Sequence, residues 1–292
     1  MQRSRNNGRG VRHPCHSYRV SCFDVDRFSE PAISDLTSRY RAAVPFPHVV
    51  LDDFVLVAPG DIDAAFPGPE WEHWRSRASD FQPAKSSCRS VEVMPPLLRT
   101  MVHELGEPRF LRALGALSGF ANLLPDPYLH GGGLQWWGKG GEQIPHTDFP
   151  FHPSAPLCRR VNVLVYLNPH WKEGDGGELS FYGVGDDRPA VSISPQFGTC
   201  VIFNTDPWSV HSVEPIADSS ADRRTIGVYY YTAEADDVIT RERWPKWYEE
   251  GSLSVDSSLA KVRLAGTRTA LSASRAFSHL ANRMDPRRPS QK

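Results

Sequence analysis

Ile144-Pro145-His146-Thr147-Asp148-Phe149 is the stretch of this 292-residue sequence from which the fold and the site are interpreted. Alternate side chains of a β-strand point to the same side, so an extended chain here brings His146 and Asp148 to one point. A second histidine, His211, follows a strand-like run at residues 199–204. Two histidines and one carboxylate on one face of a metal ion leave positions open, which suits non-haem iron. These three residues are therefore the predicted metal ligands and catalytic residues.

Short apolar or aromatic runs separated by Gly, Pro and Asp turns fill the chain around this stretch. They lie at residues 134–137, 161–167, 178–182, 190–193, 199–204 and 225–232. Many short strands at this spacing are typical of an antiparallel sandwich or barrel. Upstream, the apolar spacing predicts helices at 34–43 and 59–66, two more between 95 and 117, and a strand at 48–51. We expect these helices to cover one face of a sheet.

An arginine opens the last of these runs, Arg223-Arg224-Thr225-Ile226-Gly227. On a strand, Arg223, Thr225 and Gly227 share a face that offers a guanidinium, a hydroxyl and an absent side chain. This face suits a buried dicarboxylate, which an arginine pairs in bidentate fashion. The bulky opposite face is typical of a core-packed side. Strand parity favours Arg223 as the anchor, and an ordinary surface ion pair is the alternative for Arg224.

Together these motifs resemble the 2-oxoglutarate/Fe(II) dioxygenases, in the bacterial type of their prolyl-4-hydroxylase-like branch, over residues of about 45 to 232. The superfamily pattern H-x-D…H…R-x-S/T is matched by His146, Asp148, His211, Arg223 and Thr225. Residues 160–168 resemble the family strand that ends in Tyr-Leu-Asn, and residues 176–179 resemble its Gly-Gly-Glu turn. Residues 45–54 and 125–133 also look like segments of bacterial members.

The resemblance implies a mainly β, α+β fold: a double-stranded β-helix, or jelly roll, with N-terminal helices packed on one sheet. We expect a dioxygenase domain at 31–235, with helical support at 31–127 and the jelly-roll core at 128–232. Residues 1–30 are basic with little apolar periodicity and are expected to be a disordered tail. Residues 236–292 are expected to form a basic, partly helical C-terminal extension.

The resemblance also implies an activity and its cofactors. An enzyme of this kind uses Fe(II), 2-oxoglutarate as co-substrate and O2, with ascorbate as a candidate reductant, and hydroxylates an unactivated C–H bond while releasing succinate and CO2. Arg223, Tyr166 and Thr225 would bind 2-oxoglutarate. The carboxylate of Asp148 favours hydroxylation over halogenation, while desaturation, ring closure and epimerisation stay open. We favour a small-molecule substrate over a peptidyl residue, because no peptide-binding repeat accompanies the core.

Two other functions stay open: a cupin-type metal dioxygenase or isomerase that does not use 2-oxoglutarate, and a non-catalytic jelly-roll binding module. One departure from the family lies on the first core strand, where Gln135, Trp136 and Trp137 replace the tyrosine or histidine of many relatives. His152 is expected on the loop after the metal strand, as a substrate contact or a surface histidine. His130, before three glycines, is expected to be a turn residue.

Composition excludes several other classes of protein. The net charge of -1 gives no indication of a nucleic-acid partner, and no apolar run reaches the roughly 20 residues that cross a bilayer. The basic N-terminus lacks the apolar segment of a secretory signal, and five scattered cysteines do not suggest a disulfide framework, so a cytoplasmic location is expected. The residues His13, Cys15, His16 and Cys22 lack the paired spacing of a zinc site. The sequence predicts no oligomeric state.

Overall fold

A computed structural model describes residues 21–76, 79, 81–217 and 222–233, and the backbone of 246–247. Four α-helices and two 3₁₀ turns, Val25–Phe28 and Val91–Val93, lie in the described part of the chain. The helices are α1 (Ala32–Ala42), α2 (Pro59–Ala65), α3 (Pro96–Glu104) and α4 (Pro108–Ser118). Proline begins α2, α3 and α4, where its missing N–H would in any case lack a partner within the helix. None of the helices in these ranges is long and apolar enough to span a membrane.

Thirteen strands in the described ranges form two antiparallel sheets. The first seven are β1 (His48–Leu51), β2 (Arg75–Ser76), β3 (Lys85–Cys88), β4 (Leu124–Pro125), β5 (Gly133–Trp137), β6 (Gln143–Thr147) and β7 (Cys158–Tyr166). The others are β8 (Leu179–Tyr182), β9 (Val191–Ile193), β10 (Cys200–Asn204), β11 (Val210–Val213), β12 (Arg223–Thr232) and β13 (Lys246–Trp247).

The larger sheet has the order β1-β10-β7-β12-β5-β3-β2, with β4 also paired to β12, and the smaller sheet has the order β13-β6-β11-β8-β9. The eight strands from β5 to β12 are divided equally between the two sheets: β5, β7, β10 and β12 in the larger, β6, β8, β9 and β11 in the smaller. This arrangement is the predicted double-stranded β-helix, so the fold class is confirmed.

Each face of the larger sheet is buried. One face packs on the helices through the main hydrophobic cluster, in which Val163 and Ile226 meet Leu98, Met101 and other helical residues. The opposite face meets the smaller sheet, where a second cluster has aromatic members such as Phe181 and Phe203. The expectation that the helices cover one face of a sheet is therefore correct, and the other face is left for the site.

The predicted disordered tail is wrong for its last residues. Phe23 forms an isolated antiparallel bridge with Val55, and its ring stacks on Phe54 with centroids 5.3 Å apart. Val25 and Phe28 are buried in the main cluster. These apolar side chains lack helical or strand periodicity, which is why the sequence pattern did not reveal that they belong to the core. Residues 1–20, and with them His13, Cys15 and His16, lie outside the described residues.

The predicted elements agree with the structure to within a few residues, with one correction. His211 was placed just after a strand, whereas it lies within a strand of its own, β11. The C-terminal extension, predicted to be partly helical, lies outside the described residues except for β13, which pairs antiparallel with β6. Cys22, Cys88, Cys158 and Cys200, the cysteines among the described residues, are buried free thiols.

Candidate metal centre

The smaller sheet brings the three predicted ligands together. Strand β11 pairs with β6 so that His211 lies directly opposite His146, and the two rings are 4.3 Å apart between centroids. Asp148 follows the last residue of β6, and its carboxylate Oδ2 lies 4.0 Å from His211 Nε2. One ligand atom from each residue lies within 4.8 Å of the other two. The structure therefore assembles the triad that the sequence spacing suggested.

The hydrogen bonds of the two histidines favour the ring form that a metal ion needs. His146 Nδ1 lies 2.9 Å from the Ile144 carbonyl oxygen, and His211 Nδ1 lies 3.0 Å from that of Ser209. A carbonyl only accepts, so both Nδ1 atoms carry the proton and donate. Each Nε2 then has a lone pair for a metal ion, an arrangement common in metal sites. The Gln143 side-chain amide lies 3.0 Å from His146 Nε2 and can donate to that lone pair.

The two oxygens of Asp148 have different surroundings. Oδ1 accepts a hydrogen bond from the Tyr229 hydroxyl at 3.1 Å and lies 3.5 Å from Arg159 Nη1. Oδ2 is buried and has no hydrogen-bond partner among the described residues. Burial alone would raise the pKa of this carboxyl, but His211, Arg159, His146 and the Tyr229 hydroxyl outweigh it and lower the pKa. A buried carboxylate oxygen with no donor beside two imidazole nitrogens is a fitting place for a cation.

The charge state of His146 also suits a metal ligand. Burial, reinforced by neighbouring His211, lowers the pKa of His146 to about 3, although Asp148 and the Ile144 carbonyl act in the opposite direction. His146 is therefore neutral near pH 7, as a metal ligand must be. Two imidazoles and one carboxylate with further positions open are the donor set of non-haem Fe(II) sites. The residues present thus fit the metal that the sequence suggested.

Arg223 lies at the entrance to β12, and its side chain is enclosed. Its Nε donates to the Gly177 carbonyl at 2.9 Å, Nη1 donates to the Thr225 hydroxyl at 3.3 Å, and Nη2 donates to the Tyr166 hydroxyl at 3.1 Å. The residue is only 2% exposed, and its guanidinium also lies over the Trp137 ring, 5.6 Å from the centroid. The three residues expected to bind 2-oxoglutarate therefore touch one another.

The neighbouring Arg224 points elsewhere. Its Nη1 lies 2.7 Å from Asp63 Oδ1 and its Nε lies 3.0 Å from Asp222 Oδ1, in a partly exposed group. These contacts are the ordinary ion pair that the sequence suggested as the alternative role of Arg224. The first-strand residues also separate: the Trp136 indole donates to Asp222, whereas Trp137 faces Arg223 and its indole N–H has no partner among the described residues.

His130 lies in a turn, as expected, whereas His152 does not lie on the surface. His152 is buried beside Asp126, with Nε2 3.3 Å from Oδ1. His130 is a turn residue, but its Nδ1 lies 3.5 Å from Asp126 Oδ2, so the three side chains form a second cluster. His152 Nδ1 accepts the Ser154 N–H, so the proton lies on Nε2 and is directed at Asp126. That nitrogen has no lone pair for a metal in this form.

Two residues at the centre were missed in the sequence. Tyr229 lies on the same face of β12 as Arg223 and Thr225, so the strand parity already contained the signal. Arg159 could not be found in this way, because its spacing from Tyr166 is odd. A register shift where β12 residues Tyr230 and Tyr231 pair with β7 skips one residue and returns Arg159 to the inner face. A β-bulge of this kind is not visible in a periodicity.

A comparison with known protein families agrees with the non-haem iron site that the geometry suggests. Residues 132–231 match the family described as the 2OG-Fe(II) oxygenase superfamily. A Xenopus laevis protein named prolyl 3-hydroxylase OGFOD1 is 31% identical over 84 residues, which are 27% of this chain and 16% of that protein. The chain thus spans about a sixth of the length of this relative. The matched residues 132–231 contain all three candidate ligands.

Solved structures also align with most of this chain. A prolyl 4-hydroxylase from Phytophthora capsici aligns with a TM-score of 0.49 and 23% identity, covering 75% of this chain and 69% of that one. The carbocyclase SnoK, described as a non-haem α-ketoglutarate-dependent enzyme of nogalamycin biosynthesis, aligns with a TM-score of 0.48 and 14% identity, covering 72% of this chain and 86% of that one.

Proposed function

We propose that this protein is an Fe(II)- and 2-oxoglutarate-dependent oxygenase that hydroxylates an unactivated C–H bond. The observation that carries the proposal is the triad itself. Nε2 of His146 and of His211 and the unpartnered Oδ2 of Asp148 lie close together, and both rings are held in the metal-binding form by backbone carbonyls. When bound, Fe(II) and 2-oxoglutarate would supply the oxidising chemistry. In that reaction O2, 2-oxoglutarate and the substrate would be converted to succinate, CO2 and a hydroxylated product.

The residues around Arg223 would bind the co-substrate. A dicarboxylate needs one buried cation at its far end, and Arg223 offers a guanidinium whose orientation is fixed by the Gly177 carbonyl. The hydroxyls of Tyr166 and Thr225 already touch that guanidinium and can turn to donate to a carboxylate. Burial raises the pKa of Tyr166, even though Arg223 acts in the opposite direction, so the hydroxyl keeps its proton.

A compact substrate is the second part of the proposal. His146, His211 and Arg223 are at most 5% exposed, and the side chain of Asp148 is 8% exposed. A substrate must therefore deliver its reacting carbon into an enclosed space. An extended peptide often binds by adding a strand to a free sheet edge. Here β13 already pairs with β6, on the edge next to His146. Both features favour a small molecule over a peptidyl residue. Ascorbate as a reductant and a cytoplasmic location stay predictions from the sequence alone.

The test is succinate formation by anaerobically purified protein supplied with Fe(II), 2-oxoglutarate and air, for wild type and His146→Ala. We expect slow succinate release without added substrate, abolished by the substitution, because enzymes of this chemistry turn over 2-oxoglutarate slowly on their own. Screening small metabolites should then find one that stimulates turnover. A protein that binds Fe(II) through the triad yet never consumes 2-oxoglutarate, with any compound tried, would favour the cupin-type alternative.

A further inference from the structure

Arg159 is a buried cation beside the metal centre that the proposed chemistry has not used. It is the second residue of strand β7, and its side chain is completely shielded from solvent. The guanidinium lies between two aromatic rings, 3.5 Å from the centroid of Phe149 and 3.6 Å from that of Tyr229. Both faces of the planar group are therefore covered, so a substrate could reach it only along its edge.

Most of that edge is already occupied. Nε and Nη2 donate to the Tyr231 hydroxyl at 3.2 and 2.9 Å, and Nη2 also lies 3.4 Å from the His130 carbonyl oxygen. His152 packs edge-on against Tyr231, with centroids 5.3 Å apart, so the second histidine cluster supports this contact from behind. A Cβ on Gly131 would lie 3.1 Å from the Tyr229 ring and 3.7 Å from Arg159 Nη2, which shows how closely the turn fits.

The remaining corner of the guanidinium points at a metal ligand. Nη1 is buried, has no hydrogen-bond partner among the described residues, and lies 3.5 Å from Asp148 Oδ1. The Tyr229 hydroxyl donates to the same oxygen. Arg159 and Tyr229, which stack on each other, thus both approach Oδ1, whereas Oδ2 has no hydrogen-bond partner among the described residues. An unpaired guanidinium N–H in the interior is costly, so its direction is informative.

We propose that Arg159, together with Tyr229, is a positioning residue that holds Oδ1 of Asp148 and so commits Oδ2 alone to the metal. A carboxylate with both oxygens free can bind a metal through both, which would use a position that 2-oxoglutarate or O2 needs. Occupying Oδ1 from the protein side leaves single-oxygen ligation. The inference rests on the proposed function. It adds a structural reason why coordination positions on the metal would stay free for the co-substrates.

Co(II), a spectroscopic substitute for Fe(II), tests this inference without turnover. We would titrate Co(II) into metal-free wild type, Tyr229→Phe and Arg159→Met, and record both affinity and the visible absorption spectrum. Partners of metal ligands typically change affinity about 10- to 100-fold, so we expect losses of that size in both variants. We also expect an altered Co(II) spectrum, because the coordination of Asp148 changes. A merely structural arginine would leave the spectrum of the folded protein as it is.

Arg160 provides a matched control in the next position. It is also buried, but its Nε donates to the Thr232 hydroxyl at 2.9 Å and its guanidinium lies 5.3 Å from the Phe120 centroid. Arg160→Met should bind Co(II) within about twofold of wild type, with the same spectrum. Circular dichroism of each variant checks folding, and Tyr229→Phe, which keeps the stacked ring, decides the matter if Arg159→Met does not fold.

Two results would count against different parts of the account. If folded Arg159→Met and Tyr229→Phe bind Co(II) with wild-type affinity and spectrum, or if Tyr229→Phe alone does so where Arg159→Met does not fold, the positioning role is wrong and the triad is unaffected. If wild type itself gives no Co(II) spectrum that His146→Ala removes, the proposed function fails first, and the inference fails with it.

Discussion

At the scale of single residues, the two adjacent arginines Arg223 and Arg224 have opposite environments. The first is enclosed by Gly177, Tyr166 and Thr225, whereas the second makes a partly exposed ion pair with Asp63 and Asp222. Strand alternation predicted this division from the sequence, because it requires only that β12 be regular from residue 223 onward. The two arginines therefore allow a direct comparison between the proposed 2-oxoglutarate-binding residue and a neighbour that forms an ordinary ion pair.

Arg223→Met should raise the KM for 2-oxoglutarate by about 30-fold or more, the equivalent of about 2 kcal/mol for losing one partner of a buried charged pair. Arg224→Met should change that KM by less than about threefold and lower the free energy of unfolding by no more than about 1 kcal/mol. Succinate formation at varied 2-oxoglutarate measures the first quantity and urea denaturation the second. Equal effects of the two substitutions on KM would contradict the assignment.

The surroundings of Asp148 were predicted only in part. That the carboxylate would lie beside His146 followed from alternation along a strand. That a tyrosine and an arginine from two other strands address its Oδ1 did not, because contacts across strands depend on register. The second cluster, Asp126, His130 and His152, was also missed, because His152 is far from the other two residues in sequence.

At the scale of elements, the turn before β8 sets the position of Arg223. Gly176 and Gly177 both have positive φ, at 76° and 79°, and the Gly177 carbonyl accepts from Arg223 Nε. A Cβ on Gly177 would lie 3.2 Å from Arg223 Cδ and 3.2 Å from Ile216 Cγ1. The turn therefore needs glycine both for its backbone conformation and for the space beside the arginine.

Gly177→Ala should weaken 2-oxoglutarate binding because the new methyl group presses on Arg223. Gly174→Ala is the matched control: Gly174 has a similar φ of 91°, but a Cβ there meets nothing within 4 Å. Both substitutions should cost roughly 1–2 kcal/mol in the left-handed conformation. Only Gly177→Ala should also raise the KM for 2-oxoglutarate, by several-fold. The idea is wrong if both variants bind the co-substrate equally well.

Most core strands, but not all of them, were predicted from the sequence. The strands of the core were predicted because turn residues bound each of them, and β1 was predicted to the residue. Strand β11 was missed because its sequence, Val210-His211-Ser212-Val213, is not an apolar or aromatic run like those from which the other core strands were predicted. The shift between β7 and β12 moves Arg159 to the inner face, and one irregular step of this kind reverses every later expectation from parity.

At the scale of the whole molecule, the fold separates support from chemistry. The helices and residues 23–28 cover the outer face of the larger sheet, while the triad lies on the smaller sheet and Arg223 on the larger one. A metal held by β6 and β11 would thus face a co-substrate anchored from β12. Each motif lies on a defined sheet of the jelly roll, which is why the order of the motifs along the chain helped to predict the site.

The central claim is that the triad and Arg223 together bind Fe(II) and 2-oxoglutarate in one site. The most direct measurement is an anaerobic titration of the protein with Fe(II) and 2-oxoglutarate, followed by visible absorption. Chelation of Fe(II) by the keto acid gives a charge-transfer band that neither gives alone. We predict this band for wild type, its absence from His211→Ala, and a higher 2-oxoglutarate requirement in Arg223→Met. A wild-type protein that binds Fe(II) but gives no such band at saturating 2-oxoglutarate would contradict the claim.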